Sequence, residues 1–268
     1  MKNVEIIAIG REILRGQTLD TNSHWLAKMV TALGGRVGRV VVPDDDIEAI
    51  AWELDASFRN GAQVIITTGG LGPTFDDKTL AAIAQVTRCP LSLHTKALEF
   101  VTRRYREFWE NGYVESPEIT PAREKMAHLP QGAEILDNPV GAAPAVFLKT
   151  QQAVIFALPG VPKEMKAIFD GEVLPHLKKI LDAEFYFEKV VKTDLRDESV
   201  LGGFIERVMK QVPGVYLKSK PTHFGRDVEL EVTITAAGSH REEVQTRIDE
   251  AKRLLYEVIR ARPTRTEG

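Results

Sequence analysis

The sequence contains a single cysteine, Cys89, among its 268 residues. One thiol excludes an intramolecular disulfide and a metal site built from cysteines alone, and it suits a reducing compartment. No stretch approaches the ~20 apolar residues of a membrane span. Residues 1–30 also lack a basic start followed by an apolar run, which a secretory signal would need. We therefore expect a cytoplasmic protein with no membrane partner.

An excess of charge of one sign is also missing, since the formal net charge is −3. This balance gives no overall field that attracts nucleic acid, so no nucleic-acid partner is expected. Hydrophobic residues make up 43% of the chain and charged residues 27%, which is ordinary for a globular protein with a sizeable core. A chain of 268 residues is long enough for two modest domains.

What the sequence does contain is a glycine-rich loop, Gly69–Gly72, directly after a predicted apolar strand, Gln63–Thr68. Glycines tolerate positive φ and let the backbone approach a ligand, and the next predicted helix, Lys78–Val86, offers free N–H groups to an anion. Asp76 and Asp77 would repel a phosphate unless a divalent cation stood between them. The loop therefore predicts a nucleotide or pyrophosphate site with a metal ion. Turn formation and helix capping remain the alternative interpretation.

Predicted strands and helices alternate along the first part of the chain. This alternation predicts βαβ units, and hence an α/β domain with a mainly parallel sheet and helices on both faces. Ligands of such sheets bind beyond the carboxyl ends of the strands. The loops Gly10–Asn22 and Gly69–Asp77 both follow strands at that edge, so we expect their carboxylates to converge.

Other acidic and glycine-containing segments allow more than one interpretation. The triplet Asp44–Asp46 precedes a predicted helix, Ile47–Asn60, whose first turn favours negative charge, so capping is favoured over metal binding. The loops Asn138–Val146 and Leu158–Met165 could each be a simple turn. Together with the loop at Gly69, they make three strand-adjacent loops, which is more than chain connection requires.

The last third of the chain reads as strand, helix, strand, strand, helix, which predicts a second, smaller α/β domain. The boundary is expected near residues 177–183, where a helix ends in a short polar link. Lys218 and Ser219 of this domain could contribute to the ligand site, although an ordinary edge strand explains them equally well.

Four segments of the chain resemble, in the same order, the amino-terminal domain of the CinA family of competence/damage-inducible proteins. They are G-R-E-I-L-R-G-Q-T-L-D-T-N, T-T-G-G-L-G-P-T-F-D-D-K-T, N-P-V-G-A-A-P and L-P-G-V-P-K-E-M. That domain is similar to the molybdopterin-binding fold of molybdenum-cofactor biosynthesis enzymes. The resemblance implies a molybdopterin-binding-like domain at residues 1–177 and a KH-like domain at residues 184–262. It also implies a homodimer. Many CinA proteins carry a further domain, a nicotinamide mononucleotide deamidase, which we expect this chain to lack because it ends too early to contain it.

The activity that the resemblance implies is hydrolysis of ADP-ribose, a nucleotide substrate, to AMP and ribose 5-phosphate with a divalent metal (Mg, Mn or Co). By position, Asp76 and Asp77 would bind the metal and, with Glu12, would be catalytic. The implied substrate-binding residues are Asp20, Asn22, Thr68, Gly69, Gly70, Leu71, Gly72, Pro73, Asn138, Gly141, Pro159, Gly160 and Glu164. Two residues depart from the family pattern: Arg11 stands where small or polar residues are usual, and Ala145 replaces a glycine.

Two other functions remain open. A molybdopterin-binding or adenylyl-transferring protein of molybdenum-cofactor biosynthesis would use the same loop and metal, but would transfer AMP to a pterin instead of water. An RNA-binding protein would use the KH-like segment. KH modules clamp nucleic acid with a GXXG loop, and residues 184–260 contain no such tetrapeptide.

Overall fold

A computed structural model of the chain describes residues 2–181, 185–195, 197–221 and 229–261. It divides into two compact units, and the division falls between Ile180 and Leu181 except that the short segment 32–34 is grouped with the second unit. The predicted domain limits at residues 184 and 262 lie outside the described residues. The two units are described separately below.

The chain up to Leu181 alternates between strands and helices as far as α5, and four consecutive strands follow α6. Its strands are β1 (Asn3–Ala8), β2 (Arg36–Val41), β3 (Val64–Thr68), β4 (Leu91–Leu93), β5 (His128–Pro130), β6 (Glu134–Leu136), β7 (Ala145–Lys149) and β8 (Val154–Leu158). Its helices are α1 (Arg11–Leu14), α2 (Thr21–Ala32), α3 (Ile47–Arg59), α4 (Thr79–Thr87), α5 (Thr95–Glu110), α6 (Pro121–Lys125), α7 (Pro162–Ile168) and α8 (Leu174–Leu181). A π-helical turn, Phe169–Val173, joins α7 to α8.

Six of these strands form one sheet in the order β2-β1-β3-β8-β7-β6. The pairs β1–β2, β1–β3 and β3–β8 are parallel, whereas β7 runs antiparallel to both of its neighbours. The prediction of an α/β class with a mainly parallel sheet flanked by helices is confirmed. Strands β4 and β5 form a separate antiparallel pair.

The central strands of the sheet are almost completely buried. Every residue of β3 is buried, and in β1 only Asn3 is not. Parallel strands covered on both faces are mostly apolar, which explains why these two strands could be predicted from the sequence. Glu5 is a buried charged exception in β1, where it pairs with Arg39 at 2.9 Å.

The three central strands end side by side. Ala8 pairs with Thr68, and Thr68 pairs with Leu158, so the segments that follow β1, β3 and β8 start at the same edge of the sheet. Two hydrogen bonds continue the pairing past the strand ends, from Ile9 N to Thr68 O (2.8 Å) and from Gly69 N to Leu158 O (2.9 Å). The loops that form the candidate site start at this edge.

The second unit has its own sheet and core. It contains β9 (Phe185–Thr193), α9 (Glu198–Gln211), β10 (Val215–Pro221), β11 (Leu230–Gly238) and α10 (Arg241–Arg260). The sheet is antiparallel in the order β10-β11-β9, and alternate residues of β11 are buried in a core shared with both helices. Its relationship to KH domains stays a prediction. Within the described residues of the whole chain, no helix combines the length and apolarity needed to span a membrane.

Candidate functional site

A cleft of about 510 Å³ lies beyond the carboxyl ends of β1, β3 and β8. Five carboxylates line it: Glu12 of α1, Asp45 after β2, Asp76 and Asp77 after β3, and Glu164 of α7. The loops after β1 and β3 therefore contribute acids to the same cleft, as their positions at the sheet edge predict. Carboxylates gathered in this way repel one another, so the cleft favours a cation or a ligand that brings one.

The glycine loop has a backbone conformation that other residues rarely adopt. Gly69 and Gly70 have φ of 109° and 68°. A Cβ atom on Gly69 would collide with the carbonyl oxygen of Ile9, so this position requires glycine for space as well as for φ. The loop is also tied to α4, since Thr79 Oγ1 donates a hydrogen bond of 2.8 Å to Gly69 O. Its backbone is therefore held in place at the floor of the cleft.

The two adjacent aspartates of the cleft converge on one hydroxyl group. Thr74 Oγ1 lies within hydrogen-bond distance of Asp76 Oδ1 and is 2.6 Å from Asp77 Oδ2, and Thr74 N donates to Asp77 Oδ2 at 2.8 Å. A hydroxyl has one hydrogen, so it can donate to only one carboxylate at a time. The Thr74 hydrogen bond, with smaller contributions from Lys125 and Lys78, holds the pKa of Asp76 below its usual value. Asp76 is therefore an anion at neutral pH.

This donor set suits a hard divalent cation. Carboxylate oxygens are preferred by Mg²⁺ and Mn²⁺. The described residues contain no group of three or more His, Cys, Asp or Glu that could hold a metal ion. Mg²⁺, however, is commonly bound through one or two carboxylates, with waters and ligand phosphates completing its shell. Asp76 and Asp77 fit that mode of binding.

The acidic triplet Asp44–Asp46 has three different roles. Asp46 caps α3 by accepting a hydrogen bond from Glu48 N, which is the capping role that the sequence predicts. Asp44 instead pairs with Arg11 Nε at 2.6 Å, and this contact lowers the pKa of the Asp44 carboxyl. Asp45 accepts from Arg11 N at 2.8 Å and lines the cleft. Sequence reasoning missed Asp45 as a site residue, although its position after a strand next to β1 is a signal that could have identified it.

A fully buried amide orients Glu164. Asn138 donates to Glu164 Oε2 and to Ala143 O, both at 2.8 Å. Its Oδ1 accepts from the N–H groups of Val140 and Gly141. All four hydrogen-bonding positions of the Asn138 side chain are therefore used, and the carboxylate of Glu164 is fixed where it lines the cleft.

A second buried amide holds two of the loops together. Asn22 Nδ2 donates to Thr68 Oγ1 (2.9 Å) and to Gly160 O (2.8 Å), while Thr68 Oγ1 donates to Pro159 O (3.1 Å). Asn22 and Thr68 are 7% and 3% exposed, so they lie behind the cleft lining rather than in it. Asp20 likewise has a local role, since its Oδ1 accepts from Ser23 N at the start of α2.

The predicted site residues thus divide into two groups. Those that line the cleft are Glu12, Gly69, Gly70, Leu71, Gly72, Pro73, Asp76, Asp77, Pro159, Gly160 and Glu164. Those outside the lining are Asp20, Asn22, Thr68, Asn138 and Gly141.

Two lining residues that the sequence did not indicate are Tyr105 of α5 and Met126, which follows α6. No local pattern links either residue to the loops. In the second unit, Lys218 and Ser219 lie on β10, an edge strand, and Ser219 Oγ donates to Glu198 Oε1 at 2.7 Å.

The fold and the cleft place the chain in the class of α/β proteins whose candidate ligand site lies at the carboxyl edge of a mainly parallel sheet. Comparisons with known proteins narrow this class to a family. Residues 5–179 match the family described as a probable molybdopterin binding domain. The chain belongs to this family.

Individual proteins agree with this assignment. A protein of Caldivirga maquilingensis is 41% identical over 255 residues, covering 93% of this chain and 94% of its own. A Thermococcus kodakarensis protein is 37% identical over 228 residues, covering 84% and 88%. The crystal structure of a CinA protein of unknown function from Thermoplasma acidophilum is 33% identical, with a TM-score of 0.59, and covers 67% of this chain and 99% of its own. This likeness supports the resemblance of the first unit to CinA; the KH-type domain and the missing deamidase domain stay predictions.

Proposed function

We propose that this chain binds a phosphorylated small molecule of the molybdopterin type in the cleft, together with a divalent cation. The observation that carries the proposal is the meeting of the Gly69–Gly72 backbone with Asp76 and Asp77 in one cleft. The family description, a probable molybdopterin binding domain, supports this class of ligand.

Different residues of the cleft serve ligand binding and proton transfer. The backbone of Gly69–Gly72 approaches the phosphate, and Asp76 and Asp77 hold the cation. When bound, the cation neutralises charge on the phosphate oxygens. Glu12 and Asp45 are cleft carboxylates that can accept a proton from a nucleophile, and the oriented carboxylate of Glu164 can accept a hydrogen bond from a ligand hydroxyl. This arrangement suits adenylyl transfer to a pterin phosphate.

A second candidate is the metal-dependent hydrolysis of a nucleoside diphosphate compound. The CinA resemblance implies that this compound is ADP-ribose. The observation favouring it is the likeness of the first unit to a CinA protein, and Glu12 and Asp45 would serve this reaction as they would the first. One of them would take a proton from water while the water oxygen bonds to phosphorus and the anhydride oxygen leaves. The products would be AMP and ribose 5-phosphate.

One experiment separates these candidates. The purified protein is incubated anaerobically with molybdopterin, with molybdopterin and ATP, or with ADP-ribose, each with and without Mn²⁺, and binding is measured by calorimetry and products by chromatography. Cation-dependent molybdopterin binding supports the proposal, and AMP transfer to it extends the proposal to catalysis. Release of AMP from ADP-ribose alone would support the second candidate. Failure to bind molybdopterin would contradict the first.

The variant Asp76→Asn tests the site itself. We expect it to abolish turnover of whichever substrate is used while leaving the far-UV circular dichroism unchanged. Asp55→Asn is the matched control, because Asp55 is an exposed acid of α3 that pairs with Arg59 and does not line the cleft. An unchanged rate in Asp76→Asn would remove Asp76 from the mechanism. Sedimentation velocity of the same wild-type sample tests the homodimer that the resemblance implies.

A further inference from the structure

A lysine from a distant part of the chain reaches the turn that carries the two aspartates. Lys125 is the last residue of α6, and its Nζ donates a hydrogen bond to the carbonyl oxygen of Thr74. This contact joins residues 51 positions apart. Lys125 therefore bonds to the backbone of the turn, whereas the Asp76 and Asp77 side chains bond to the Thr74 hydroxyl.

The helix that carries Lys125 is anchored on both sides. Met126, the next residue, is 2% exposed and belongs to the core. The guanidinium of Arg123 lies 3.9 Å from the centre of the Tyr105 ring and donates to Ser116 O and Glu118 O at 2.7 Å. Thr120 caps the helix, and Pro121 occupies its first turn, where proline is tolerated. The base of the Lys125 side chain is thus fixed by the packed interior.

The turn itself, in contrast, is exposed and carries two like charges close together. Phe75 at its tip is 88% exposed. The hydrogen bonds within the turn run from Thr74 to the carboxylates and from Asp77 N to Thr74 O at 3.3 Å. Two carboxylates that approach one hydroxyl repel each other, and nothing in these local bonds removes that repulsion.

The positive charge of Lys125 can offset the repulsion between the two carboxylates. Partial burial lowers the pKa of the Lys125 ammonium, while Asp77 and Asp76 act in the opposite direction by favouring its charged form. Lys78 and Arg11 are further cations near Asp76, and Lys78 acts on both Asp76 and Lys125 through charge. Lys125, in addition, bonds to the backbone of the turn.

We propose that Lys125 is a positioning residue that ties the Thr74–Asp77 turn to α6, so that Asp76 and Asp77 face the cleft together and their mutual repulsion is offset. The functional importance of this tie rests on the proposed function, because it assumes that these carboxylates hold a cation at a phosphate. The placement of the turn by Lys125 is a separate claim that can be tested without any ligand.

The test compares Lys125→Met with Lys78→Met, which removes the same charge but not the backbone hydrogen bond. Amide hydrogen exchange of Thr74 and Asp77 is followed by NMR. We expect exchange to accelerate at least about tenfold in Lys125→Met and to change less than about twofold in Lys78→Met, because only the first loses a contact that closes the turn. Lys125→Arg, which keeps a charged donor, should restore part of the protection. Unchanged exchange in β3 shows that the variants remain folded.

A second measurement links the turn to binding. Inorganic pyrophosphate with Mn²⁺ is the probe, and we expect its affinity to fall in Lys125→Met but not in Lys78→Met. Equal exchange rates in the two methionine variants, or no acceleration in Lys125→Met, would overturn the proposal. If wild-type protein binds neither pyrophosphate nor molybdopterin while the exchange difference is observed, the proposed function fails and the positioning role of Lys125 stands.

Discussion

The two acidic segments of the first unit, Asp44–Asp46 and Asp76–Asp77, look alike in the sequence but differ in their partners. Both lie between a strand and a helix. In the first segment, each side chain has its own donor: Arg11 Nε, Arg11 N or the start of α3. In the second, Asp77 also accepts from Thr74 N, but both carboxylates approach the single hydrogen of the Thr74 hydroxyl.

This difference shows what makes an acidic run a candidate cation site. The number of adjacent acids is less informative than the number of hydrogen-bond donors that the protein provides for each carboxylate. An acid whose side chain caps a helix, such as Asp46, has a structural role. Where two carboxylates converge on one hydroxyl, their remaining acceptor capacity is available to a cation.

The largest effect expected from this comparison is on metal affinity. Asp77→Asn should weaken Mn²⁺ binding by roughly tenfold or more, because a lost charged partner is worth about 1.5–3 kcal/mol and 1.4 kcal/mol is about tenfold. Asp46→Asn is the matched control, since asparagine caps a helix as well as aspartate does. Electron paramagnetic resonance of free Mn²⁺ measures the Mn²⁺ affinity of both variants. Equal losses in the two variants would remove the distinction between the segments.

An intermediate effect is expected on stability. Asp46→Ala removes the side chain that accepts from Glu48 N, and the loss of a helix cap costs about 1 kcal/mol. For a protein of this size, that corresponds to a melting temperature lower by roughly 3 °C. Differential scanning calorimetry measures the shift, with Asp46→Asn as the variant that should retain wild-type stability. A loss in Asp46→Asn equal to that in Asp46→Ala would contradict the capping role.

The smallest effect is a dependence of stability on pH. Arg11 lowers the pKa of Asp44 in the folded protein, so their pairing stabilises the fold above the unfolded-state pKa of about 3.9 and is lost as pH falls through the lower folded-state value. Both side chains are about half exposed, so solvent screens the pair. Wild type should therefore exceed Arg11→Met slightly in urea midpoint near pH 7, and the gap should narrow as the pH falls below about 3.9. Arg106→Met, an exposed arginine of α5, should show no such trend.

Much of the fold could be predicted because its main elements carry strong periodic or apolar patterns. The predicted helix Ile47–Asn60 corresponds to α3 (Ile47–Arg59), and the predicted strand Gln63–Thr68 contains β3. Strands β4, β5 and β6 were missed because three residues are too few to show a period. The reversed direction of β7 was also missed, since strand direction depends on how the chain is connected in space.

The candidate site was predicted in part for similar reasons. Glycines and acids that follow strands identified Glu12, Asp76 and Asp77, because the ends of parallel strands meet at one edge. Tyr105 was missed because a helix distant in sequence places it in the lining. Asn22 was assigned to the ligand, yet its amide bonds Thr68 and Gly160 behind the cleft, so a motif residue can serve the shape of a site without lining it.

The segment from Asn138 to Ala143 is held by hydrogen bonds from two side chains. The Asn138 amide holds it from within, and the guanidinium of Arg104 on α5 donates to the carbonyl oxygens of Val140 and Gly141 at 2.8 Å. A segment already immobilised in this way loses little conformational entropy when a guest arrives. This side of the cleft should therefore be preorganised. It should select small molecules by their shape before any of their groups react.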